Sequence, residues 1–190
     1  EELLAHYGEN FAVQECIEMG ESVKRLHPQS VNSFRVITYR VPGTESIHCA
    51  DTVLRIGLGE CHTDNAHTGG MYVGVNRDGS ITDRAFTDMH ATYSEHPDTH
   101  VSFAGYSIPE IGAIEEKALA LHARIPQLGV VNWDMTVNSG GEIVLIEANT
   151  RSGSIDMAQS VFGRGIFGDD TDAILEYLRD MRRLYPFNYR

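Results

Sequence analysis

The stretch Val130-Val131-Asn132-Trp133-Asp134-Met135-Thr136-Val137, a turn at Ser139-Gly140-Gly141, and then Ile143-Val144-Leu145-Ile146-Glu147-Ala148-Asn149-Thr150 decides how this chain is read. Both arms are rich in β-branched and apolar residues, and a glycine-containing turn separates them, the signature of an antiparallel hairpin. Strand side chains alternate between faces. Asn132, Asp134 and Thr136 therefore share one side of the first arm, and Val131, Trp133, Met135 and Val137 share the other. In the second arm, Val144, Ile146 and Ala148 are expected to continue the apolar side, with Glu147 and Asn149 on the face of Leu145. Loop length settles whether the two acids meet. A two- or four-residue loop puts Asp134 and Glu147 on one face, and a three-residue loop separates them.

Asp134, Glu147 and Asn149 offer only oxygen ligands, as hard cations require. Magnesium in particular takes one or two protein carboxylates, with water and substrate phosphate completing its shell. The competing reading of the same pattern is a solvated hairpin face.

Composition narrows the field. The 190 residues suit one domain with a proper core but are few for a complete nucleotide-dependent ligase, and the first residue is Glu1 rather than methionine, so a fragment or trimmed start is expected. A hydrophobic share of 42% is that of a soluble globule, and no run resembles a membrane span or secretory signal, so a cytoplasmic protein is expected. The formal charge of −12 argues against nucleic acid or an anionic membrane as partner. Lys24 and Lys117 are the only lysines, so phosphate contacts fall to arginine, backbone amides or metal, with Arg35, Arg55 and Arg151 as candidates. Cys16, Cys49 and Cys61 form no CxxC pair and read as reduced thiols.

The pattern along the chain predicts α+β architecture: a largely antiparallel sheet with flanking helices. Helix is expected to end near Tyr7, with strands over 11–16, 33–41, 51–57, 71–76 and 81–87. Asn76-Arg77-Asp78-Gly79 reads as a turn. Pro109 opens a helix reaching Arg124, and helices are expected over 155–162 and 169–184, the last with Ile174, Leu175, Leu178 and Met181 apolar. Alternation of Phe34, Val36 and Thr38 with Arg35, Ile37 and Tyr39 places Arg35 on a strand. There it reads as either a phosphate or carboxylate clamp or a structural ion pair.

Residues 57–70 gather glycines, acids, an amide and imidazoles into one loop, with His67 or Asp64 as substrate binder or general base. Capping by Asn and Asp side chains explains the same residues structurally. A zinc site of Cys49, Cys61, His62 and His67 matches no common spacing. Trp133 reads as core, and the segment from His90 to His100 as a solvated loop.

Taken in order, Val13-Gln14-Glu15-Cys16-Ile17, Ser30-Val31-Asn32-Ser33-Phe34-Arg35-Val36, Leu54-Arg55-Ile56-Gly57, Asp64-Asn65, His67, Gly69-Gly70, His96-Pro97-Asp98-Thr99, Trp133-Asp134 and Glu147-Ala148-Asn149 form a specific series. This series resembles the ATP-grasp superfamily, in particular its sugar-transfer-associated, α-L-glutamate-ligase-related branch, over residues 13–159. The resemblance implies a magnesium- and ATP-dependent carboxylate–amine or carboxylate–thiol ligase acting on small molecules, with cell-envelope or polysaccharide synthesis as its setting. Residue by residue it makes Asp134, Glu147 and Asn149 the Mg2+ ligands. Gln14, Glu15, Cys16 and Ile17 become the hinge against adenine, with Glu21 near the ribose. Arg35, Arg55, Arg151 and His67 become the catalytic candidates.

Two departures stand out. Asn132 occupies a position where related ligases carry arginine, and the family's phosphate-binding lysines and glycine-rich loop belong upstream of the hinge. The 190 residues are accordingly expected to be the C-terminal part of the fold, incomplete for catalysis alone. A non-catalytic nucleotide-binding scaffold and an ATP-grasp phosphotransferase are the alternatives, and self-association is left open.

Overall fold

The computed structural model describes residues 14–65, 69–151 and 153–185. An eight-stranded antiparallel sheet is flanked by helices, the α+β class expected. In chain order the elements are α1 (Glu21–Lys24), β1 (Ser33–Arg40), β2 (Ile47–Cys49), β3 (Thr52–Ile56), β4 (Met71–Val75), β5 (Ala85–Thr87), β6 (Thr92–Tyr93), α2 (Ile111–Ala123), β7 (Val130–Val137), β8 (Ile143–Asn149), α3 (Asp156–Phe162), a short 3-10 turn (Gly168–Asp170) and α4 (Thr171–Leu184). The strands lie in the order β6-β5-β4-β3-β1-β7-β8, with β2 paired to the far end of β1.

β1 is central because its residues suit burial on both faces. Phe34, Val36 and Thr38 pair with Met135, Trp133 and Val131 across β7. With Leu54, Ile56, Met71 and Val73 they form one apolar face. Helix α2 packs on it through Ile111, Ile114 and Ala118, which recur at helical spacing. His122, one turn on, is also buried; it bonds Thr38 Oγ1 through Nδ1 (2.7 Å) and the Leu128 carbonyl through Nε2 (3.0 Å). Trp133 donates to the same Thr38 hydroxyl (2.8 Å), so it is core as expected.

On the opposite face Ile37, Tyr39, Ala50 and Val53 meet Ala158, Ile166 and Ile174 from the C-terminal segment. α4 differs from its sequence pattern here. Only Ile174 is buried among the described residues of the helix, while Leu175 and Leu178 lie more than 40% exposed, because the helix touches the sheet with one edge alone.

Other corrections are local. Gln14 to Cys16 carry no strand, and residues 1–13 lie outside the described residues. The strand expected over 81–87 shrinks to Ala85–Thr87, Ile81 making only an isolated bridge to Val75. The turn at residues 76–79 forms as expected, with Gly79 at φ +89 and its amide on the Asn76 carbonyl (2.9 Å).

Candidate functional site

The turn between β7 and β8 has the length that alternation alone forbids. Asn138 N–H donates to the Glu142 carbonyl (2.9 Å), and Val137 pairs with Ile143, leaving residues 139–141 as a three-residue loop. Leu145 consequently faces Met135, and Val144 faces Thr136, the reverse of the expected faces. The register then slips. Past Ile146 the pairs become Asp134 with Glu147, Trp133 with Ala148 and Asn132 with Asn149. One extra residue, Ile146, bulges out of β8 and restores Glu147 to the face of Asp134.

Neighbouring strands extend this polar strip. Register places Arg35 of β1 directly across from Asp134, and Arg55 of β3 directly across from Ser33. Arg35 donates through Nε to Asp134 Oδ1 (2.6 Å) and through Nη2 to Oδ2 (2.8 Å), a two-bond fork on a carboxylate only 1% exposed. Arg55 donates through Nε (3.2 Å) and Nη2 (3.0 Å) to Ser33 Oγ, and through Nη2 to Asp64 Oδ1 (2.8 Å). The Ser33 hydroxyl in turn donates to Asp64 Oδ2. Arg55 Nη1 stands 3.6 Å from Asp134 Oδ2. On the outer side Asn149 Nδ2 donates to Glu147 Oε1 (2.9 Å) and lies 3.5 Å from Asp134 Oδ2.

Burial and charge oppose each other throughout the cluster. Burial works against the Arg35 charge, but the bonds and field of Asp134, with the more distant Glu147 and Asp64, outweigh it and raise its pKa. Burial raises the Asp64 pKa, against the lowering pull of Arg55 and Ser33. Three carboxylates (Asp64, Asp134, Glu147) face two guanidinium groups, leaving an excess of negative charge that favours a cation.

These residues line a cleft of about 400 Å3. Gln14, Glu15, Cys16 and Ile17 form one side of it, while Arg55, Asp64, Asp134, Ile146 and Glu147 contribute from the sheet and its loops. The hinge-like segment is docked on the hairpin tip: Gly20 N–H bonds the Val137 carbonyl (2.8 Å), and Ser139 N–H bonds the Glu18 carbonyl (2.8 Å). Gly20 permits this approach, since a Cβ there would sit 2.9 Å from the Asn138 carbonyl oxygen.

The loop bringing Asp64 is anchored by two histidines. His96 Nε2 bonds the Gly57 carbonyl, and His27 Nε2 the Gly59 carbonyl (both 2.9 Å), with their rings 5.3 Å apart. His96 is fully buried, a correction to the solvated-loop reading, although His100 is exposed. Burial lowers the His96 pKa, partly offset by its bond to Gly57.

The structure brings Gln14, Glu15, Cys16, Ile17, Arg55, Asp134 and Glu147 to one cleft, with Arg35 and Asn149 bonded to its carboxylates. Glu21, in the first turn of α1, and Arg151, exposed beyond β8, do not line it. His67 lies outside the described residues. Ser33 was missed as a site residue, although its place two residues before Arg35 on the same strand face was legible.

Among the described residues no three His, Cys, Asp or Glu side chains gather as a metal-binding set, which removes support from Cys49, Cys61 and His62 as zinc ligands. Burial also pushes the Cys49 thiol up to about 12. A pair of carboxylates with an amide oxygen still fits magnesium, which needs no third acid. Asp134, Glu147 and Asn149 converge closely enough to supply it once the Asn149 amide, whose Nδ2 faces the two carboxylates here, rotates to present its oxygen instead. Asp134 retains lone pairs beyond the two that Arg35 engages.

Among the described residues no helix is long and apolar enough to cross a membrane. No curated protein and no solved structure gives a significant match. The family model for sugar-transfer-associated ATP-grasp proteins matches residues 4–174, nearly the whole sequence and more than the resemblance traced from motifs. Its span takes in the hinge-like segment, the arginine strands and the carboxylate hairpin, and the chain belongs to the sugar-transfer-associated ATP-grasp family.

Proposed function

We propose that this protein is a cytoplasmic, ATP- and Mg2+-dependent ligase that joins a small-molecule carboxylate to an amine or thiol through an acyl-phosphate. Family membership suggests ATP-dependent ligase- or transferase-type activity. The observation that carries the finer reading is the bulge at Ile146, which sets Glu147 across from Asp134 beside a cleft walled by Gln14–Ile17. Asp134, Glu147 and Asn149 would hold the magnesium. When bound, the ion would turn the cluster's excess of negative charge into an excess of positive charge able to meet the nucleotide phosphates.

The chain's own residues account for the remaining requirements. Backbone groups of Gln14–Ile17 offer an edge to adenine, and Ile17 an apolar contact. Arg55, on the cleft wall, offsets charge as a substrate carboxylate oxygen attacks the γ-phosphorus and ADP departs. An amine or thiol then attacks the acyl carbon, phosphate leaves, and the attacking group loses its proton. The family is described as sugar-transfer associated, and cell-envelope or polysaccharide synthesis is the setting we propose for the substrates.

The deciding assay follows ADP and phosphate release with the acid and the nucleophile supplied singly and together. A ligase releases phosphate only with both, and a phosphotransferase yields a stable phosphorylated product. A scaffold gives neither, and one observation favours that second reading: Arg35 already engages both oxygens of Asp134. Asp134→Asn and Glu147→Gln are expected to weaken Mg-nucleotide binding with circular dichroism unchanged. Normal binding by both variants would end the metal assignment.

A further inference from the structure

We infer that the two cleft arginines have divided roles: Arg55 donates to the phosphate oxygens of a bound nucleotide, held in aim by Ser33 and Asp64, whereas Arg35 is the internal counter-ion of Asp134. This rests on the nucleotide reading above and deepens it. Equal charge makes the two residues interchangeable in the sequence; the donor geometry separates them.

Arg35 spends its fork on one carboxylate, Nε on one oxygen and Nη2 on the other. Its side chain is 9% exposed and does not line the cleft. Arg55 does line the cleft. Its Nε and Nη2 are engaged by Ser33 and Asp64 on one edge of the guanidinium. Nη1, on the other edge, makes no hydrogen bond among the described residues, and its ion-pair distance of 3.6 Å to Asp134 is too long for one. A guanidinium is rigid and planar, so fixing one edge fixes the direction of the other. The result is a pair of unused N–H donors beside the carboxylates that would hold the metal.

Ser33 and Asp64 act as positioning residues. The Ser33 hydroxyl accepts from Arg55 twice and gives its single proton to Asp64, closing a three-residue brace. Without that hydroxyl, Arg55 retains one anchoring bond, Nη2 to Asp64, about which it can turn. Asp64 also balances the Arg55 charge, allowing the guanidinium to remain aimed without folding wholly onto Asp134.

The test is calorimetric titration of the full-length protein, wild type, Arg55→Lys and Ser33→Ala, with adenosine, Mg-ADP and Mg-ATP. Wild type is expected to bind the nucleotides more tightly than adenosine. Arg55→Lys retains a positive charge beside Asp64 but loses the fork, so adenosine affinity should hold while the phosphate-dependent gain falls about tenfold or more. Ser33→Ala should lose a smaller part of that gain, again with adenosine unchanged, and decides the matter if the lysine variant does not fold. A nucleotide-to-adenosine affinity ratio equal to wild type in the folded variants overturns the inference. Wild type that binds adenosine and Mg-ADP equally overturns it while leaving the adenine pocket in place. Wild type that binds none of the three removes the nucleotide reading and this inference together.

Discussion

The two halves of β1 present one strand face to opposite environments. Ser33 opens onto the cleft and Arg35 is bonded to one of its carboxylates, whereas Ile37 and Tyr39, next on the same face, are sealed by Ala158, Ile166 and Ile174. Alternation is uninterrupted, so backbone geometry does not cause the difference. The cover does. The C-terminal helices lie over the Ile37 half, and the Ser33 half is bordered by the Asp64 loop and the hinge-like segment, whose polar groups satisfy buried charges. A charged pair persists on a central strand only where partners for every donor and acceptor come with it.

Breaking the polar half should have the largest effect. Arg35→Ala leaves Asp134 buried without its fork, and urea unfolding should show a loss of about 3–5 kcal/mol, the range for removing one partner of a buried pair. A loss below about 1 kcal/mol would mean that Arg55 takes over Asp134 and that the two arginines are not specialised. On the apolar half, Ile37→Ala should cost about 2–4 kcal/mol by cavity formation, with nucleotide affinity unchanged. Reduced affinity there would show that the halves are mechanically coupled.

A third substitution sharpens the boundary of the cleft. Gly20→Ala pushes a Cβ against the Asn138 carbonyl, so a cost of about 1–3 kcal/mol is expected, with weaker nucleotide binding as the hinge-like segment lifts from the hairpin tip. Unaltered crystallographic positions for residues 14–20 in that variant would contradict this.

Acidification tests the loop that completes the polar half. The pKa of His96 is lowered by burial, and that of His122 likewise, so each favours folding in its neutral form. The unfolded chain binds those protons more readily. Their contribution is thus present above the ordinary histidine range near pH 6.5 and is lost as the pH falls through and below it. Unfolding free energy should decline from pH 7 toward pH 5, and the Asp98 and Thr99 amides, which donate to His96 Nδ1 (3.3 and 3.4 Å), should exchange hydrogens sooner once that nitrogen is protonated. A flat profile would place the loop's anchorage elsewhere. The smallest effect belongs to the exposed pair of Arg164 with Asp51, where Arg164→Ala should change stability by less than about 1 kcal/mol despite its two short bonds.

Much of the architecture was legible because long alternating or helical runs carry their own periodicity. β1, β3, β4, β7, β8 and α2 appear close to their expected bounds. β2 and β6, three and two residues long, were not visible, since so short a strand exists only by pairing with a longer neighbour. α4 misled in another way: its apolar stripe is real, but the fold uses only Ile174 of it. At the site, Asp134, Glu147 and Asn149 stood out as oxygen donors at strand spacing, and Arg35 as a strand arginine. The strand face of Ser33 was legible from its spacing to Arg35 but its role was not, because a serine becomes a brace only when Arg55 and Asp64 arrive from elsewhere.

By itself the sequence determined the α+β class, the identity of the hairpin and the oxygen donors on it, because side-chain alternation and composition are local properties. Tertiary structure decided whether those donors meet. The three-residue turn would have parted Asp134 from Glu147, and a single bulged residue, Ile146, reunites them. Turn conformation and bulge placement are settled by hydrogen bonding to a partner strand and by packing against the hinge-like segment. The same long-range pairing commits Arg35 to Asp134 and leaves Arg55 facing the cleft, a distinction between two identical side chains that depends on which strand lies beside which.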